Sequence, residues 1–310
     1  DGGGTATPQQ RRKERRPLSS VATLVAQNVT PGRGAYNFGF LDETTKREVR
    51  RALLKAVALP GHQIPCGSRE MPVARGWGTG GIQVTLSILG PDDTVKVIDQ
   101  GADEGVNAWN IRRLVTDTSG VPTTTDSREA TVIQTRHRIP ETPLRDGQVL
   151  VFQVPMPEPL RMVEPSERKT RAMHAQADYS RAWVYLYEDV VRRGEISHAT
   201  GYPVMVAGRY LLSPSPIPRW DVPKLNMADG LYLFGAGREK RVYAIPPHTE
   251  VVPIDFEDYP FYVESFPDRK CQKCGAEAVY MNEVVLDDGR HAFTCSDSGY
   301  CDSRLTGGVE

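Results

Sequence analysis

Four of the five cysteines in this 310-residue chain fall within its last forty residues, as Cys271-Gln-Lys-Cys274 and Cys295-Ser-Asp-Ser-Gly-Tyr-Cys301. Two thiolates two residues apart can chelate one centre while backbone N–H groups support the sulfurs, so the first pair reads as a metal knuckle. The second pair is wider, with five residues between its members. That departs from a symmetric zinc ribbon and leaves two chemistries open. All four sulfurs could hold one structural zinc. Alternatively, three could hold an iron–sulfur cluster and leave the fourth free to react. Spacing does not choose between them.

Other residues have a chemical reading beside a plainer one. Arg136 and His137, within Thr135-Arg-His-Arg138, stand at the end of a strand pattern, where a histidine between two arginines is placed to bind a phosphate or phosphonate. Three solvated side chains would explain them as well. The glycine-dense stretch from Pro65 to Gly81 lets backbone approach an anion or cofactor closely, yet an ordinary surface loop has the same composition. Phe234-Gly-Ala-Gly237-Arg-Glu-Lys-Arg241 resembles a phosphate loop only loosely, because the six-residue glycine pattern is missing and no clear strand leads into it. Cys66 is a lone cysteine and a weak basis for a thiol hydrolase.

These residues need a frame. Residues 42 to about 58 read as a helix, capped by Asp42 or Thr44, with Val49, Leu53 and Val57 at i+4 spacing and a stop at Leu59-Pro60-Gly61. Alternation predicts strands over 82–89, 94–98, 130–134, 148–154, 242–245 and 249–252, with a helix over 104–114. Residues 164–193 form a helical block with a Pro165 start and a Gly194 stop, carrying Trp183, Tyr185, Leu186 and Val190 among many charges. The block interrupts the strand-rich pattern. It reads as an insertion that docks a partner, with core packing as the rival account. Apolar residues alternate on both sides of Asp287-Asp-Gly289, which predicts a β-hairpin that brings the two cysteine pairs to one end.

The fold class expected is mixed α/β (α+β): a central sheet with peripheral helices, a helical insertion and a C-terminal cysteine-bearing hairpin. The regular βα alternation of a TIM barrel is missing. The expected organisation is a disordered tail over 1–35, a main domain over 36–268 with the insertion at about 158–195, and the cysteine hairpin over 269–310.

Composition narrows the partners. A net charge of −1 provides no global basic field for nucleic acid. No apolar run approaches the roughly 20 residues that cross a bilayer, so no membrane partner is expected. Five cysteines, four of them clustered, suit a reducing cytoplasmic setting better than a disulfide framework. The first 17 residues are polar, glycine-rich and locally basic, as in a flexible tail. An Arg-Arg pair before residues 21–26 invites a twin-arginine export reading, but the apolar segment is short and broken by Thr23.

From about Tyr36 to Cys301 the chain resembles the PhnJ family, the catalytic subunit of bacterial carbon–phosphorus lyase. The phrases that carry the resemblance are Leu41-Asp-Glu-Thr-Thr-Lys-Arg, Leu59-Pro-Gly-His-Gln-Ile-Pro, Gly76-Trp-Gly-Thr-Gly-Gly-Ile-Gln, Ile133-Gln-Thr-Arg-His-Arg-Ile-Pro-Glu-Thr-Pro, Phe234-Gly-Ala-Gly-Arg-Glu-Lys-Arg and the cysteine hairpin. The resemblance implies a radical enzyme that uses S-adenosyl-L-methionine and a [4Fe–4S] cluster held by Cys271, Cys274 and Cys295. The second gap of the cluster motif is one residue shorter here, which a hairpin tip tolerates. Three ligands leave one iron open for S-adenosylmethionine, whose cleavage releases methionine and a 5′-deoxyadenosyl radical.

The same resemblance assigns the radical relay to Gly61 and Cys301. Gly61 would store a glycyl radical, and Cys301 would give it hydrogen and become the thiyl that attacks phosphorus. The substrate implied is α-D-ribose 1-methylphosphonate 5-phosphate, converted to the 1,2-cyclic phosphate 5-phosphate and methane. Arg136 and His137 are the implied substrate contacts, with Gln153 a further one. Implied partners are the other subunits of the lyase core complex and an ATP-binding-cassette-type subunit docking on the helical insertion. The competing expectation is a non-catalytic assembly subunit with a four-cysteine zinc knuckle. Zinc could also replace the cluster in aerobic preparations, so Cys301 separates the two readings.

Overall fold

The computed structural model describes residues 41, 43–66, 80–99, 103–136, 138–154, 159–194, 203–212, 219–236, 240–254 and 266–307. His137 and most of the glycine-dense stretch lie outside the described residues.

A six-stranded sheet forms the centre, in the order β1-β8-β7-β4-β3-β2. Its strands are β1 (Ile64–Pro65), β2 (Val95–Ile98), β3 (Val132–Thr135), β4 (Val149–Gln153), β7 (Leu231–Ala236) and β8 (Arg241–Ile245). β2, β3, β4 and β7 run parallel, whereas β8 returns antiparallel to β7 and β1 antiparallel to β8. Strands buried on both faces need apolar residues on both sides, and β2, β3 and β4 are almost wholly buried. On one face α1 (Glu43–Ala58), α2 (Gly80–Ile88) and α3 (Val106–Ser119) pack against Val95, Val97, Val132, Val151 and Leu233. On the other, Ile133, Leu150, Phe152, Phe234 and Tyr243 meet Val204, Val206 and Leu211. The latter come from a small antiparallel sheet of β5 (Pro203–Val206), β6 (Arg209–Leu212) and β9 (Val251–Pro253).

Residues 82–89, expected as a strand, are a helix. α2 is buried on every side, with Ile82, Val84 and Leu86 and also Gln83, Thr85 and Ser87 out of solvent. A helix enclosed all round carries no apolar stripe, so its alternating pattern mimics a strand. Two of its polar side chains are bonded: the Ser87 hydroxyl donates to the Gln83 carbonyl at 2.7 Å, and the Thr85 hydroxyl donates to Gln134 Oε1 of β3. Gly81 makes the packing possible, since a Cβ there would stand 2.7 Å from Gln153 Cα.

The helical block is two helices, α4 (Glu167–Gln176) and α5 (Ser180–Arg193), after a 3₁₀ turn over Pro159–Met162. Together with Tyr210 and Ile254 they bury a separate apolar cluster that includes Leu160, Met173, Tyr179 and Leu186. Both helices lie within the connection between the parallel neighbours β4 and β7, which also carries β5, β6 and a 3₁₀ turn over Arg219–Leu225. Parallel neighbours need a crossover, and here the crossover has grown into a layer. β5, β6 and β7 are strands beyond those read from the sequence. β7 leads directly into Gly237, where no strand was expected. Among the described residues, no helix is long and apolar enough to cross a membrane.

Candidate metal centre at the sheet edge

The cysteine region folds as the alternation predicts. β10 (Met281–Val285) and β11 (His291–Cys295) pair antiparallel, with Met281 opposite Cys295. The Asp-Gly turn closes them through Gly289, which adopts φ +78° and donates its N–H to the Leu286 carbonyl at 2.8 Å. At the knuckle, Gly275 (φ +70°) donates to the Cys271 carbonyl at 2.9 Å, folding the turn so that Cys271 and Cys274 face the same centre. The sequence reading did not include α6 (Ser298–Leu305), which carries Cys301 in its first turn. Its signal was present: Asp297 is an N-cap whose carboxylate accepts from the Tyr300 N–H at 3.0 Å.

The four sulfurs converge within 4.8 Å of one another. Cys271 Sγ lies 3.7 Å from Cys301 Sγ, and Cys274 Sγ lies 3.5 Å from Cys295 Sγ. Four sulfurs each about 2.3 Å from one zinc would stand about 3.8 Å apart at the corners of a tetrahedron. The donor set thus fits a single soft metal ion with little rearrangement. A cluster in which each ligand sulfur binds its own iron would require Cys274 and Cys295, now 3.5 Å apart, to separate.

Burial acts against ionisation of these thiols. At Cys271 it is outweighed by N–H groups of Cys274, Cys295 and Lys273, which hold the thiol down to about 6. Burial pushes Cys301 up to about 12, reinforced by its bonds to Cys274 and Cys271, and raises Cys295 as well. One thiolate ready-made among neighbours that resist charge is a set that a cation would complete.

The module docks beside the carboxyl ends of the parallel strands, where open α/β sheets commonly place ligands. The Tyr280 N–H donates to Glu141 Oε1 at 3.1 Å, and the Glu141 N–H to Asp297 Oδ2 at 2.9 Å. The Arg138 guanidinium lies 3.5 Å from the centre of the Tyr280 ring. Lys224 pairs with Glu141 from the crossover at 3.2 Å.

Of the expected substrate contacts, Arg136 follows β3 and Gln153 ends β4, both at this same edge. Arg136 bonds Asp99 through Nε at 2.8 Å and Nη2 at 3.0 Å. Gln153 is buried under α2 and accepts from Gln134 Nε2 at 3.4 Å. Gly61 stands elsewhere. It ends the turn after α1 at φ +71°, donates to the Ala244 carbonyl of β8 at 3.4 Å, and faces Val206 and Arg209. α6 docks on β2, and β8 and β2 are four steps apart in the sheet. At about 4.8 Å per step, the strands that Gly61 and α6 rest on lie on the order of 20 Å apart. The thiol of Cys66 is buried and pushed up to about 12 by that burial, opposite to what a nucleophile needs.

The fold and site define a mixed α/β protein bearing a four-cysteine group that could hold a metal ion, on the flank of a largely parallel sheet. Residues 34–307 match the family described as phosphonate metabolism protein PhnJ, and the chain belongs to that family. It is 59% identical over 274 residues to the alpha-D-ribose 1-methylphosphonate 5-phosphate C-P-lyase of Rhizobium meliloti (strain 1021), spanning 88% of this chain and 92% of that protein. It is 57% identical over 267 residues to the alpha-D-ribose 1-methylphosphonate 5-phosphate C-P lyase of Escherichia coli (strain K12), spanning 86% of this chain and 95% of that protein.

Proposed function

We propose that this chain is a carbon–phosphorus lyase that converts α-D-ribose 1-methylphosphonate 5-phosphate to the 1,2-cyclic phosphate 5-phosphate and methane. The observation that carries this reading is identity of 59% and 57% to two proteins so named, over nearly their full lengths. Cys271, Cys274 and Cys295 would hold a [4Fe–4S] cluster. With S-adenosylmethionine, that group supplies one-electron chemistry able to open a carbon–phosphorus bond homolytically.

The chain's own residues would do the rest. Arg136 offers a planar, bidentate donor suited to a phosphonate or phosphate. Its present partner is Asp99, so substrate binding would exchange one carboxylate for an anion of similar geometry. His137 is proposed to face the phosphonate beside it. Gly61 already holds the left-handed backbone that suits an unsubstituted Cα. For Cys301 to act as the reacting thiol it must leave the other three sulfurs, and the span to Gly61 requires a rearrangement in the assembled complex. The exposed α5 stripe of Val184, Tyr187 and Val191 is the surface proposed for the ATP-binding-cassette-type subunit. Deleting the block should spare assembly with the other subunits and abolish binding of the ATPase.

A second reading has a specific observation in its favour: four sulfurs within 4.8 Å suit a structural zinc in a non-catalytic subunit. Anaerobic reconstitution of the assembled complex with iron and sulfide separates the two. Methane released from the methyl substrate in the presence of S-adenosylmethionine and a reductant supports the lyase. A brown, reducible protein that yields no methane would refute it.

A further inference from the structure

Lys96 occupies the middle of β2, in Val-Lys-Val-Ile, where the neighbouring residues are core. Its side chain is fully buried. An ammonium removed from water costs several kcal/mol unless anions and acceptors surround it, and all of its partners lie in one direction. Nζ donates to the Thr125 carbonyl at 2.7 Å and to Asp297 Oδ1 at 3.3 Å, and stands 3.6 Å from Asp103 Oδ2. Asp103 in turn accepts from the Gly299 N–H at 2.9 Å and the Ser298 hydroxyl at 3.1 Å, while its own N–H donates to Ser298 Oγ at 2.9 Å. The first turn of α6 is therefore capped twice, by its own Asp297 and by Asp103 from the connection between β2 and α3. Both carboxylates share one ammonium.

Gly299 allows this approach. A Cβ there would strike the Thr125 carbonyl and come within 2.7 Å of Lys96 Nζ and 2.8 Å of Asp103 Oδ2. Two residues further along is Cys301.

We propose that Lys96 is a positioning residue: through Asp297 and Asp103 it seats the first turn of α6 and so holds Cys301 among the other three sulfurs. The inference rests on reading the four sulfurs as one centre. Cys271, Cys274 and Cys295 are placed by the hairpin and its knuckle, independently of Lys96. Only Cys301 depends on the clamp. Loss of the ammonium removes the donor that both carboxylates share, and the turn that carries Cys301 loses its anchor on β2.

The test is site-resolved alkylation of the full-length, zinc-loaded chain with N-ethylmaleimide, read by peptide mass spectrometry, with zinc content and far-ultraviolet circular dichroism measured alongside. In Lys96→Met the labelling rate of Cys301 should rise on the order of tenfold relative to Cys271, Cys274 and Cys295, because only the α6 turn has been released. Gly299→Ala breaks the same approach without altering charge and should give the same selective pattern, which covers the case in which Lys96→Met does not fold. A uniform increase at all four cysteines, or no increase at Cys301 in a folded variant, overturns the proposal. If the unmodified chain retains no zinc, the metal reading fails instead, and the Cys301 ratio measured without metal still decides the role of Lys96.

Discussion

Cys301 lies 3.7 Å from Cys271 through their sulfurs, although thirty residues and a complete hairpin separate them in sequence. That contact joins the beginning of the module to its end. It makes the residue expected to react a neighbour of the residues expected to bind metal. Substituting Cys301 by Ala should therefore have opposite consequences for the two candidate occupants. Zinc retention against a chelator should fall at least tenfold, while a cluster reconstituted on Cys271, Cys274 and Cys295 should persist and methane release should cease. Iron, sulfide and zinc analysis of the variant, with methane measured by gas chromatography, checks both halves.

Arg136 and Asp99 form a bidentate pair that is largely buried. Removing one partner of such a pair costs roughly 3 kcal/mol, because the other charge loses its counterion. Arg136→Ala should lower stability by about that amount and abolish turnover. Adding Asp99→Asn should recover most of the stability while turnover stays lost. If the double variant regains turnover, Arg136 serves the fold and makes no substrate contact. His137→Ala should abolish turnover and leave metal content unchanged, as measured by methane release and metal analysis.

Gly81 packs directly on β4. A Cβ there would lie 2.7 Å from both Cα and Cβ of Gln153, and neither side is a flexible side-chain end. Gly81→Ala should cost about 2 kcal/mol through overpacking, read as a lower urea midpoint at unchanged slope.

Asp221 is completely buried, and that burial lifts its carboxyl to about 6. Lys224 and Arg138 and the Ile139 N–H pull it down, while Glu141 pushes it up. Lys224 is 3.3 Å away, the Ile139 N–H donates at 3.1 Å, and Tyr232 packs nearby with its hydroxyl donating to the Lys224 carbonyl. The folded value stands above the unfolded one, so the contribution is complete below about pH 4 and is lost as pH rises through about 6. Asp221→Asn keeps an acceptor for Ile139. The stability of the variant relative to the parent should therefore rise between about pH 4 and pH 7, as urea denaturation at several pH values would show. A difference that is flat or falls with pH would contradict this assignment.

Local chemistry was readable without coordinates wherever neighbours in sequence are neighbours in space. The Cys-x2-Cys knuckle, the Asp-Gly hairpin, the helix ending at Leu59-Pro60-Gly61 and strands β2, β3, β4 and β8 are all of this kind, because turn geometry and period-two alternation act over a few residues. Family membership was readable too, from long and unusual strings. What needed the folded chain was everything set by packing between distant segments. The polar face of α2 is buried against strands, so its period could not be seen. β7 pairs with β4 across the whole crossover, a partnership that no local pattern displays. Lys96 is a charge in an apolar run whose partners, Asp103 and Asp297, only the fold brings around it. Whether Cys301 joins the other sulfurs depends on that long-range clamp, since a spacing in sequence limits how far a side chain can reach without choosing where the rest of the fold will hold it.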